Sequence, residues 1–175
     1  SFVNCHKITI SGLTLGHLTS GYCQGGVLKF QNCSGIKIAD CDLYGSGTYG
    51  FEFVDCSDID IDRTTVRDCS YGILQIVNSS SVTFTECKFA NNREFDLCVF
   101  AGKINEVMFR KCAFERNYSN DALFRLDGIT QRGSGVFVWD CTFVDNDCDQ
   151  LEDGSGYFSE SRNQYQSNAW RSRSG

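Results

Sequence analysis

One short pattern recurs six times along this chain, and no other feature restricts its fold as strongly. Two apolar residues flank one position, two positions are skipped, and a second such pair follows. The copies read Ile8-x-Ile10-x-x-Leu13-x-Leu15, Ile36-x-Ile38-x-x-Cys41-x-Leu43, Ile59-x-Ile61-x-x-Thr64-x-Val66, Val82-x-Phe84-x-x-Cys87-x-Phe89, Val107-x-Phe109-x-x-Cys112-x-Phe114 and Val136-x-Val138-x-x-Cys141-x-Phe143. Their starts lie 28, 23, 23, 25 and 29 residues apart. A further alternating segment precedes each of the later copies: Leu28-x-Phe30, Phe51-x-Phe53, Leu74-x-Ile76, Leu97-x-Val99 and Phe124-x-Leu126. Alternation at every second residue places those side chains on one face of a strand. Three short strands in a turn of ~23 residues leave no chain for a helix, and a propeller blade is roughly twice as long. Coils stacked at ~4.8 Å bury an apolar column that no single coil buries alone. The pattern therefore predicts an all-β solenoid, a right-handed parallel β-helix of about six coils.

Three further observations support the register. The position before the central cysteine reads Asp40, Arg63, Glu86, Lys111 and Asp140, so charges alternate from coil to coil. Lys29 beside Glu52 and Lys37 beside Asp60 repeat the device, each exposed pair contributing ~0.2–1 kcal/mol and chiefly specifying alignment. The chain contains no proline, as befits uninterrupted ladders in which every residue must donate its backbone N–H. Phe2-Val3-Asn4-Cys5 aligns with Phe30-Gln31-Asn32-Cys33 and Phe53-Val54-Asp55-Cys56, so the chain starts partway through a coil. Such an end exposes apolar surface and unpaired backbone; it predicts a fragment of a longer protein whose earlier coils or cap precede it. The solenoid is expected to run over residues 1–158, with 159–175 a polar tail or linker.

This arrangement over roughly residues 2–143 resembles the pectin-lyase-like superfamily of right-handed parallel β-helices. The segments 16–28 and 43–50 are similar to parts of uncharacterised bacterial β-helix proteins. The superfamily includes lyases, hydrolases, isomerases, tailspikes and non-catalytic scaffolds, so the resemblance implies a fold and not an activity. It favours an extracellular or cell-surface setting, while free cysteines are compatible with the cytoplasm.

The chemistry is sparse. Eleven cysteines include no zinc-like Cys-x-x-Cys pair. Cys5, Cys33, Cys56 and Ser79 share one column; Cys41, Thr64, Cys87, Cys112 and Cys141 share another. Parallel stacking points their Cβ vectors the same way, which disfavours bridges, so buried free thiols are expected. Cys98 reads as an outward, reactive position. Asp58, Asp60 and Asp62 face outward and raise calcium, which the β-helix lyases hold with acidic groups. Same-face residues are ~6.8 Å apart, too far for all three to hold one ion, so no cofactor is expected. His17 and Arg125 are the positions to which a catalytic reading turns. Gly16-His17 is similar to the Gly-His-Gly element of β-helix polygalacturonases, but Leu18 breaks it, and that family's Asn-Thr-Asp, Asp-Asp and Arg-Ile-Lys elements are missing.

Two surfaces remain. Lys29, Glu52, Gln75, Cys98 and Arg125 line one outward column, with Tyr22, Tyr44, Tyr49, Tyr71 and Tyr118 in nearby loops. Aromatic faces stack on sugars and polar groups bond hydroxyls, so a polysaccharide is the expected ligand, with Lys29, Glu52, Gln75, Arg125, Tyr49 and Tyr71 as its contacts. Met108, Phe137 and Trp139 form an outward apolar patch, expected to be covered by the segment after Phe143 or by another domain of the parent chain. A net charge of −6 argues against nucleic acid, and there is no apolar run long enough to span a membrane. The sequence thus points to a non-catalytic scaffold with a carbohydrate- or partner-binding face. The competing expectations are a polysaccharide lyase or glycoside hydrolase, and a structural stalk or fibre segment.

Overall fold

The structure, a computed structural model, describes residues 1–17, 25–127, 135–154 and 156–171. Tyr22 and Cys23 lie outside the described residues. Three sheets of seven parallel strands run the length of the molecule, and a fourth of four short strands begins midway. Successive strands of each sheet come from successive turns of the chain, so the architecture is the expected parallel β-helix of about six turns. The first sheet runs from Phe2–Val3 to Gln150–Gly154, the second from His6–Ser11 to Phe158–Ser161 and the third from Thr14–Gly16 to Gln164–Gln166.

The register follows the repeat in nearly every rung. Ile36 pairs with Ile8 and Ile59, and Phe30 with Phe2 and Phe53. The inward residues of the middle coils are buried, and their rings stack in columns: Phe84 on Phe109 at 4.7 Å, Phe89 on Phe114 at 4.8 Å and Phe114 on Phe143 at 4.9 Å. Offset stacking of this kind adds to the area buried.

Most corners are turned by one device, a residue in the left-handed region followed by a small inward residue; Gly12, before exposed Leu13, and Gly102, before exposed Lys103, depart from it. At the second corner Asp40, Arg63, Glu86, Lys111, Asp140 and Arg162 all have φ between 43° and 57°. This conformation costs a non-glycine residue ~1–2 kcal/mol, and the same side chains recover part of that as ion pairs. Arg63 binds Asp40 at 2.8 Å, Arg162 binds Asp140 at 2.6 Å, and Lys111 stands 3.9 Å from Glu86. The paired guanidinium holds the Asp40 and Asp140 carboxyls below the usual carboxylate range.

The inward residue after each left-handed one closes a hydrogen-bond gap. The N–H of Cys33 donates to Cys56 Sγ, while Cys33 Sγ donates to the carbonyl of Gln31. Ser79 and Thr64 do the same with hydroxyls. Cysteine, serine and threonine interchange in these columns because each offers one donor and one acceptor on a short stem.

The ten described cysteines are free thiols, nine of them buried. Burial pushes Cys69 up to about 11 and Cys148 up to about 12, and raises Cys98 and Cys112 well above the ordinary thiol value. Because the thiolate is the nucleophile, these four are expected to stay unmodified in iodoacetamide at pH 8 under conditions that label them fully in denaturant. Peptide mass mapping checks this; native labelling at the denatured rate would contradict the burial.

Three expectations need correction. Cys98 does not face outward: it pairs with Leu74 and Phe124 and is fully buried, so the inward pair is Cys98-x-Phe100 and the outward residue is Val99. A one-residue slip moves every side chain to the other face. The solenoid does not end at residue 158. Phe158–Ser161, Gln164–Gln166 and Ala169–Trp170 extend three of the sheets. For the same reason the segment after Phe143 does not fold over the outward apolar patch. Tyr157 reaches Phe137, at 5.9 Å, Ser159 follows Phe137 on the next rung, and an open cleft of about 310 Å³ remains beside Asn105, Glu106, Met108, Phe137 and Trp139.

Candidate binding face

The expected ligand contacts divide according to where the coil places them. Lys29, Glu52 and Tyr49 line a cleft of about 360 Å³ with Val27 and Thr48, where the chain enters the first sheet. Lys29 Nζ lies 2.9 Å from Glu52. Gln75 sits on the next rung beside Glu52, Val99 beside Gln75, and Arg125 beside Val99. The column expected from the sequence therefore exists, with Val99 in place of Cys98.

Glycines set the close approaches in this cleft. A Cβ at Gly26 would lie 2.6 Å from Glu52 Oε1 and 2.8 Å from the Tyr49 carbonyl. One at Gly72 would lie 2.5 Å from Cε1 of Tyr49 and 2.8 Å from the Asp96 carbonyl. The missing side chain of Gly72 is what lets the Tyr49 ring lie against the next coil.

Tyr49 is the first ring of a ribbon. Its centroid is 5.4 Å from that of Tyr71, which is 4.8 Å from that of Phe95. Tyr71 is 40% exposed and Phe95 50%, a degree of exposure unusual for large rings in a row. Burial raises the Tyr49 phenol above its usual range, and nearby Tyr71, Asp96 and Glu52 add to the effect. The other tyrosines stand apart: Tyr44 stacks on Arg67 at 4.9 Å, and Tyr118 on Arg171 at 5.1 Å.

Two residues missed by sequence reasoning complete the face, Phe95 and Asp96. Arg125 Nη1 donates to Asp96 Oδ2 at 2.6 Å, and Arg125 Nε lies 3.1 Å from Asp127 Oδ2. Asp96 Oδ1 is buried without a hydrogen-bond partner. Burial pushes the Asp96 carboxyl up, against the pull of Arg125. The signal was present as Glu-Phe-Asp at 94–96, one coil after Tyr71, but it falls in a corner whose length changes between coils.

The remaining candidates are not brought to this face. His17 follows the third-sheet strand Thr14–Gly16 of the first coil, and its N–H donates to the Tyr44 carbonyl. Arg125, which does belong to the face, lies on the first sheet several coils from His17, so the two catalytic candidates do not converge. Asp58 accepts from the Ser57 hydroxyl, Asp60 stands beside Lys37, and Asp62 pairs with Arg63. Among the described residues no three His, Cys, Asp or Glu side chains converge as a metal site would require.

No helix of the described residues is long and apolar enough to cross a membrane. No curated protein and no solved structure matches the chain. A family model for a right-handed beta helix region does match it, over residues 4–105 and again over 25–170. Those matches span the parallel ladders from the first coil to the last, and the chain belongs to the right-handed β-helix family.

Proposed function

We propose that this chain is a non-catalytic binding module that presents a carbohydrate-binding face along the first sheet and the corner before it. One observation carries the reading: three rings on successive coils, Tyr49, Tyr71 and Phe95, lie in contact and partly exposed beside Glu52, Gln75, Asp96 and Arg125. Ring faces cover the C–H faces of sugars, and amide, carboxylate and guanidinium groups bond their hydroxyls. A rigid ladder holds these groups in place before the ligand arrives, which lowers the ordering cost of binding.

The test is retardation of the intact chain in native gels containing neutral or acidic polysaccharides. Retardation is expected, and Tyr71→Ala and Phe95→Ala are each expected to weaken it about tenfold, ~1.4 kcal/mol. Met108→Ala, on the outer face of the second sheet, serves as the unaffected control. Retardation that neither ring substitution changes would remove the ribbon from the argument.

Glycan cleavage is the second reading, favoured by Asp96, whose carboxyl is pushed up by burial and whose Oδ1 has no partner. A carboxyl raised by burial is of the kind that serves as a general acid. Reducing ends, or ultraviolet absorbance from unsaturated products, released from the same polysaccharides and abolished in Asp96→Asn would transfer the assignment to an enzyme.

A further inference from the structure

The geometry of the ribbon points to one class of ligand: we propose that it takes a neutral, β-1,4-linked glycan chain lying parallel to the solenoid axis, one sugar per coil. This rests on the binding reading above and narrows it.

Spacing is the first argument. Stacked parallel strands set a rise of ~4.8 Å per coil, and the ring centroids follow it at 5.4 and 4.8 Å. A pyranose chain joined through equatorial 1,4 bonds is extended and advances by one ring and one glycosidic oxygen per residue, a distance of the same order as the coil rise. A chain along the axis therefore meets one ring and one hydrogen-bonding side chain per sugar: Tyr49 with Glu52, Tyr71 with Gln75, Phe95 with Asp96. A chain running across the axis meets a single ring.

Charge is the second. The cations of the first-sheet face, Lys29 and Arg125, are already committed, Lys29 to Glu52 at 2.9 Å and Arg125 to Asp96 and Asp127 at 2.6 and 3.1 Å. Asp153 stands beside Arg125 on the following rung. A polyuronate would have to displace carboxylates from both cations and then face them, which costs desolvation and like-charge repulsion. A neutral sugar leaves the ion pairs intact and bonds their outer oxygens and nitrogens.

Ring orientation is the third. Tyr49 and Tyr71 are inclined at 79° and Tyr71 and Phe95 at 38°, so the three faces do not make a plane. That arrangement fits a single twisting chain and not the flat face of a crystalline polymer.

The experiment is calorimetric titration of the intact 175-residue chain with β-1,4-linked gluco- and manno-oligosaccharides of increasing length, and with oligogalacturonates of matching lengths. The neutral series should bind, with affinity rising up to the trisaccharide and little beyond it. Binding should be insensitive to added salt and about tenfold weaker in Tyr71→Ala. Tighter binding of the oligogalacturonates, weakened by salt, would overturn this inference and leave the glycan-binding reading standing. Absence of binding in both series would overturn both.

Discussion

Replacing Asn117 by alanine is expected to lower the free energy of unfolding by about 3–5 kcal/mol, more than any surface change on this protein. Asn117 lies in a buried column with Cys69, Asn92 and Asn146, ended by half-buried Asn168, at the corner where the coil leaves the third sheet. Its Oδ1 accepts from the backbone N–H of Asn92 and from Asn92 Nδ2, at 3.1 and 3.0 Å. Its Nδ2 donates to the Phe89 carbonyl at 3.0 Å and to Asn146 Oδ1 at 2.9 Å. Alanine strands a buried N–H and a buried carbonyl, each costing ~1–3 kcal/mol, and interrupts a polarised chain of amides. Guanidinium unfolding measures the loss, and hydrogen exchange should place it at the coils on either side, since a solenoid is held by nearest-neighbour contacts. A loss below about 1 kcal/mol would show that water or a shifted corner replaces the amide.

The second large effect is expected from Phe109→Ala, at about 3–5 kcal/mol. Phe109 is fully buried and stacks on Phe84 at 4.7 Å, with Phe89, Phe114 and Phe124 at 5.9, 5.8 and 5.6 Å. Truncation removes the transfer energy of the ring and leaves a cavity that strands locked in ladders cannot close. Phe109→Leu, which keeps most of the volume, should cost less than ~1.5 kcal/mol. Phe95→Ala, at 50% exposure, should change stability by no more than ~0.5 kcal/mol. The contrast separates rings that hold the fold from rings offered to a ligand. The Phe109 and Asn117 losses should not add, because Asn117 holds the carbonyl of Phe89, whose ring packs on Phe109.

The asparagine column shows what could have been read earlier. Asn92, Asn117, Asn146 and Asn168 each stand five residues after the inward residue of the preceding corner, namely Cys87, Cys112, Cys141 and Asn163. The spacing is constant because the third-sheet strand and its left-handed residue do not vary in length. Periodicity of apolar residues does not reveal it, since the column is polar and still buried.

The Cys98 register and the Asp96 site fall together in a corner whose length varies between coils. Ile73 lies four residues after Cys69, and the equivalent Leu97 five after Asn92. In the run Leu97-Cys98-Val99-Phe100 both alternations are apolar, so local pattern has no preference. All four residues are in fact buried. Pairing with Leu74 and Phe124 decides the matter, because only Cys98 and Phe100 inward continue the stacked core.

The sequence by itself determined the coil, its direction of stacking and most of its rungs. Each rung repeats a local pattern, and a solenoid adds only contacts between like positions on neighbouring coils. It also placed Lys29 beside Glu52 and Gln75 one rung on, since strand register propagates along a ladder. Only the tertiary structure decided what happens where the coil changes length. There Phe95 comes onto Tyr71, Asp96 reaches Arg125 from 29 residues away, and Val99 takes the outward place of Cys98. The physical reason is that a corner of variable length carries no period: a residue added to it is absorbed by the loop, and its effect on the next strand is settled by which face packs.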